Sequence, residues 1–201
     1  MLNSRDRIVR KARSHLFAKG YSAFTMDDLA RELGMSKKTL YVAFRSKEAI
    51  IRAALDGFAA EIRAEADRLL ADRSLSLLEK LRGFALGLME RLSQVRPEVM
   101  SDLQQYAPAL HRHVEQLRGR NIPYIFGRFI EEGQIAGIVR DDVNPTFAGE
   151  YYLHAMQGMM HPATLDRLRI GPDVVLDRAI RLFFGGLLTG PGHKEYERSF
   201  P

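Results

Sequence analysis

Residues 25–47 read TMDDLARELGMSKKTLYVAFRSK, and this stretch decides the fold. Thr25 is placed to cap a short helix whose apolar residues Leu29, Ala30 and Leu33 face inward. Gly34 can end that helix in a left-handed conformation, and Ser36 can cap the next one. Two short helices joined by a three- or four-residue turn containing glycine form a helix-turn-helix. In that motif the second helix carries its N-terminal residues to base edges in the major groove. Here those residues are Lys37, Lys38 and Thr39.

The flanking residues take supporting roles in this reading. Thr25 caps with its hydroxyl, and the free N–H groups around it suit a DNA phosphate. Asp28 makes a weak capping box, since Glu or Gln is the better partner. Leu40 and Phe44, four apart, plug a small core, whereas Tyr41 lies off that stripe and can donate its hydroxyl to a phosphate. The adjacent lysines point about 100° apart on a helix, so one reaches a base edge while the other meets phosphate. Lys47 sits in the first turn of the following helix, where a cation is unfavourable unless an anion is bound there.

The charge distribution agrees. Residues 1–47 hold eleven Lys or Arg against four Asp or Glu, a net of +7, and the rest of the chain holds nineteen against twenty-one, a net of −2. A basic head on a near-neutral body is the electrostatic footprint of a nucleic-acid-binding segment. With 201 residues, 46% hydrophobic and 27% charged, the chain has the composition of a globular protein with a real core. No apolar run approaches the roughly 18 residues of a membrane span, and the N-terminus has no apolar signal core. Cysteine is absent, which excludes disulfides and thiolate metal sites. These features suit a cytoplasmic protein.

Every segment reads as helix, giving an all-α chain. Ile8, Ala12 and Leu16 repeat every four residues over 4–19, and Gly20 ends that helix. Ser46 caps a long helix over about 47–71, and another covers about 75–94. Pro97 and Pro108 start further helices, the second kinked at Pro123 and ended by Gly137. Helices over 145–160 and about 173–189 follow, separated by a flexible link containing Gly171 and Pro172. The division expected is a helix-turn-helix domain at 1–46, a helical domain at 47–190 and a flexible tail at 191–201.

Residues 8–51 resemble the DNA-binding domain of the TetR/AcrR family of bacterial regulators. The family pattern is matched by Ala12, Phe17 with Gly20 and Tyr21, Thr25, Met26, Leu29, Ala30, Gly34, Ser36, Leu40, Tyr41, Phe44, Ser46, Lys47 and Glu48. The resemblance adds Met26 to the DNA-binding set of Thr25, Ser36, Lys37, Lys38, Thr39, Tyr41 and Lys47. Lys38 departs from the glycine many members carry, which bears on operator choice. Val42 and Ala43, often polar or aromatic in relatives, imply fewer contacts from the end of the reading helix.

The resemblance implies a homodimer that binds a palindromic DNA operator, most simply as a repressor released by a small effector. An activator or an effector-independent regulator is the alternative. The C-terminal domain would then serve ligand binding and dimerisation. Phe147, Tyr151, Ala155, Gly158 and Met159, with Leu176, Ile180, Phe183 and Leu187, are the expected dimer face, packed as a four-helix bundle. Phe84, Met89, Tyr106, Phe126, Phe129, Tyr152 and Met156 are the candidate pocket lining, suited to an uncharged or weakly polar ligand. His111 and His113 project to different sides of a helix, and His154 and His161 stand about 10 Å apart along one. No metal, cofactor or catalytic group is expected: residues 48–201 offer no nucleophile–base pair, glycine-rich phosphate loop or ligand cluster.

Overall fold

The computed structural model describes residues 4–199 as eleven helices. In order they are α1 (Ser4–Lys19), α2 (Met26–Leu33), α3 (Lys37–Ala43), α4 (Lys47–Ala71), α5 (Leu77–Ser93), α6 (Val99–Tyr106), α7 (Pro108–Ile135), α8 (Pro145–Met159), α9 (Pro162–Leu168), α10 (Pro172–Leu187) and α11 (Gly190–Ser199). The only extended pairing among the described residues is an isolated bridge between Val139 and Leu188.

The caps form where the sequence places them. Thr25 accepts a hydrogen bond from the Asp28 N–H at 3.1 Å, and Ser36 accepts one from the Thr39 N–H at 3.1 Å. Asn144 accepts the Phe147 N–H at 2.9 Å ahead of Pro145. Gly34 takes φ 64° and donates to the end of α2, a left-handed conformation that costs a residue with a Cβ about 1–2 kcal/mol.

The chain forms two compact units, and their border differs from the expected division at residue 46. Unit one comprises the residues up to Glu61 together with Arg91–Leu117, and unit two comprises Ile62–Glu90 and the residues from Arg118 onward. The physical reason lies in α6 and the start of α7. Val99, Leu103, Ala107 and Leu110 are buried in the same core as Ile8, Leu16, Leu29, Leu40, Ile50 and Ile51. Side chains from beyond residue 90 therefore complete the head's interior.

Unit two is built around aromatic rings. Phe126 stacks on Tyr152 with centroids 3.9 Å apart, and Phe183 meets Phe126 edge-on at 5.5 Å. Leu78, Phe84, Phe129 and Ile130 fill the rest. Lys80 is buried yet partnered, donating to the Leu70 carbonyl and pairing with Glu132. Helix α7 continues through Pro123, and Gly149 of α8 packs on it so closely that a Cβ there would lie 2.8 Å from the Pro123 Cα.

Two segments differ from expectation. The link after Met160 contains α9, because Pro162 both ends one helix and begins the next. The tail expected to be flexible is helical from Gly190 to Ser199, anchored where the Gly192 N–H donates to Thr189 Oγ1 at 3.1 Å. Phe200 and Pro201 of that tail lie outside the described residues.

Candidate nucleic-acid interface

Helix α3 is held from below and bare above. Leu40 is fully buried, and Phe44, just past the helix end, is buried with it beneath the Arg5 guanidinium. Lys37, Lys38, Thr39, Tyr41 and Val42 are all exposed. Helix α2 supports α3 through buried Leu29 and Ala30 and through an ion pair, Lys37 Nζ to Asp27 Oδ1 at 2.6 Å. The two lysines are thus unequal: Lys37 leans back on α2, while Lys38 opens the outward face.

Glu32 ties α2 to α1. Its carboxylate takes Lys11 Nζ and His15 Nε2 at 2.7 Å each, with Lys19 at 3.9 Å. Hydrogen bonds from Lys11 and then His15 hold the Glu32 carboxyl down at about 2. His15 is buried, its ring edge-on to Phe24 at 6.0 Å. The Thr25 hydroxyl, besides capping, donates to Asp28 Oδ2 at 2.7 Å. That bond keeps the Asp28 carboxyl below its usual range, a variant of the capping box with acid and hydroxyl bonded directly.

Two candidate DNA residues are placed elsewhere. Met26 is 8% exposed and belongs to the head core, because position N1 of α2 faces α1 rather than solvent. Lys47 is half-buried: its ammonium donates to the Tyr21 carbonyl at 2.7 Å and lies 3.9 Å above the Tyr21 ring. These internal partners answer its position at a positive helix end, and burial lowers its pKa. Tyr21 in turn donates to Glu48 at 2.7 Å, and its hydroxyl is pushed up to about 12, by burial first and by Glu48 second.

A further contact escaped the sequence pattern. Asp102 of α6 accepts the Ser22 N–H at 2.8 Å in the α1–α2 link. Burial opposes its ionisation, but the N–H bonds around Ser22 prevail and its pKa falls below the ordinary value. Gly20, at φ 82°, leaves room for that carboxylate, which would stand 2.7 Å from an added Cβ. Nearby the Arg96 N–H donates to the Phe17 carbonyl at 3.1 Å. A partner eighty residues away has no local sequence signal beyond the glycine itself.

The remaining candidates lie in unit two, with one exception. Phe84, Phe126, Phe129, Tyr152 and Met156 are buried together, with Met89 packed against them. Tyr106 does not join them: it ends α6 in unit one and is exposed, the opposite face of that helix supplying the core. On the expected dimer face, Phe147, Tyr151 and Gly158 are exposed and Ala155, Met159 and Leu187 half-buried. Leu176, Ile180 and Phe183 face inward in the unit-two core, so the bare stripe of α10 is instead Arg178, Arg181 and Leu182. Among the histidines, His113 pairs with Asp56 at 2.6 Å and His161 caps α9. Among the described residues, no group of three or more His, Asp or Glu is placed to hold a metal ion.

Residues 8–54 match the sequence model for bacterial regulatory proteins of the tetR family. That match is confined to the helix-turn-helix head and the start of α4, about a quarter of the chain. One curated relative is the uncharacterized HTH-type transcriptional regulator YvaF of Bacillus subtilis, 33% identical over 88 residues. That match covers 44% of this chain and 46% of YvaF, so it spans about half of either protein. The regulatory protein TetR from Rhodobacter sphaeroides has a similar fold, with TM-score 0.68 and 20% identity over 92% of this chain and 98% of that one. The fatty acid degradation regulator FadR from Bacillus halodurans superposes with TM-score 0.62 and 15% identity over 93% and 98% of the two chains. At these identities the neighbours establish the TetR-like fold along the chain. Each of these matches is named as a regulator.

Proposed function

We propose that this chain is a ligand-responsive transcriptional repressor that binds a palindromic operator as a homodimer. The observation carrying the reading is the bare face of α3: Lys38, Thr39 and Tyr41 exposed above a fully buried Leu40, on a head of net charge +7. Lysine at a guanine edge and tyrosine on the sugar-phosphate backbone are ordinary major-groove chemistry. Thr25 and Ser36, each at a helix start, are the phosphate-side contacts. Double-stranded DNA is therefore the macromolecular partner, and a second copy of this chain completes the reading unit.

Exposed Phe147, Tyr151 and Leu182 support the dimer. Exposed large apolar side chains that form a common patch mark an interaction face, and the helices carrying these three, α8 and α10, pack on each other within unit two. A two-fold axis through that face calls for half-sites about one helical turn apart.

The unit-two interior supports a small, largely apolar effector. Within it the Tyr152 hydroxyl is buried without a hydrogen-bond partner among the described residues. Burial raises the pKa of that hydroxyl. A buried orphan hydroxyl costs about 1–3 kcal/mol, a cost that an effector carrying one polar group would offset. Helix α4 is unbroken from Lys47 to Ala71, and a change in its angle is the response to effector in this reading. The effector acts only through its differential affinity for the two states.

Selection of bound sequences from a randomised duplex pool tests the reading. An enriched inverted repeat, lost at high salt, supports it; a pool that stays random overturns it.

A further inference from the structure

Geometry within α3 singles out a side chain beyond those already assigned to DNA. Leu40, fully buried, marks the inward direction of the helix. At about 100° per residue, Lys37 and Ala43 each lie about 60° from Leu40, and Thr39 and Tyr41 each about 100° from it. Lys38 and Val42 each lie about 160° away, on either side of the outward axis. Exposure follows the same order: Ala43 is half-buried, Tyr41 is 49% exposed and Val42 is 82% exposed. Lys37 is bent toward Asp27. The two side chains presented outermost are therefore an ammonium and, one turn later, an isopropyl group.

An isopropyl group accepts and donates no hydrogen bond, and its phosphate contacts are worthless. In the major groove one feature is apolar, the 5-methyl of thymine. We propose that Val42 is a base-reading residue whose isopropyl group packs on a thymine methyl, one helical turn from the base edge taken by Lys38. This rests on the DNA-binding reading above and names part of the sequence that reading requires. The rise from residue 38 to 42 is about 6 Å, which sets the thymine about one to two base pairs from the lysine's guanine, at 3.4 Å per step. The end of the reading helix then contributes specificity, contrary to what its small apolar residues imply from sequence.

The test uses the full chain, a duplex selected from a random pool, and the same duplex with that thymine replaced by uracil, which removes only the methyl. Burying one such carbon is worth about a fourfold change in affinity. The wild-type protein should lose about fourfold for uracil in one half-site and about sixteenfold for both. Val42→Ala should bind the thymine duplex as weakly as the wild type binds uracil, and should be indifferent to the exchange. Val42 contributes nothing to the head core, so the variant should keep the wild-type melting curve. If uracil costs both proteins the same, or costs neither, the Val42 assignment falls while DNA binding stands. If the wild type enriches no duplex at all, the DNA-binding reading fails and the Val42 assignment with it.

Discussion

Gly34 isolates a single physical effect. An added methyl there meets nothing within 4 Å, so the φ of 64° alone penalises substitution. Gly34→Ala should lower stability by about 1–2 kcal/mol in a thermal melt. Gly20→Ala should cost more, because its methyl also strikes the Asp102 carboxylate at 2.7 Å. Glu32 gives a pH signature. Its folded pKa, about 2, lies below the ordinary 4.5. The stability it contributes is therefore complete above about pH 5 and is lost as pH falls from about 4.5 toward 2. Acid titration of Glu32→Gln should show a flatter loss of stability over that window. The lysines should separate as well. Lys38→Ala should relax preference at one base pair by about 1–3 kcal/mol, whereas Lys37→Ala should weaken all duplexes alike. Thr25, Ser36 and Gly34 were legible in the sequence because caps are made within three residues. Met26 and Lys47 were not, because the partners that capture them come from other elements.

At the scale of elements, the crossing of α7 and α8 is a backbone-to-backbone contact with no room for a side chain. Gly149→Ala would put a methyl 2.8 Å from the Pro123 Cα and 2.9 Å from its carbonyl oxygen. Backbone cannot yield as a side chain does, so a loss of about 1–3 kcal/mol is expected in a denaturant melt. Gly57→Ala is the matching control: it lies inside α4 with open space around it, and it should gain up to about 1 kcal/mol from helix propensity. Long helices such as α1 and α4 were readable, because periodic apolar faces and end signals agree there. Helices α9 and α11 were hidden by the very residues that start them. Proline and glycine clusters read as loops unless a tertiary bond fixes them, as Thr189 Oγ1 does by donating to the Gly137 carbonyl at 2.9 Å.

For the whole molecule, the sequence suggested two parts but placed the border between them at residue 46, where the structure does not. A border follows long-range packing, and nothing local announces that Val99 and Leu103 complete a core begun at Ile8. The same limit applied to the proposed dimer face: a helical stripe shows which residues share a side, not which of two sides is covered. The exposed set of Phe147, Tyr151 and Leu182 now makes the prediction sharper. Phe147→Glu combined with Tyr151→Glu should give a monomer in sedimentation velocity and weaken DNA binding, with the melt of the folded protomer preserved. The central claim is that α3 reads duplex DNA, twice, from a symmetric pair. Its most direct test is selection of duplexes by the full chain followed by binding measured against salt. The account predicts an inverted repeat with half-sites about 10 base pairs apart and an affinity that falls steeply as salt rises; enrichment of no sequence, or binding indifferent to salt, would contradict it.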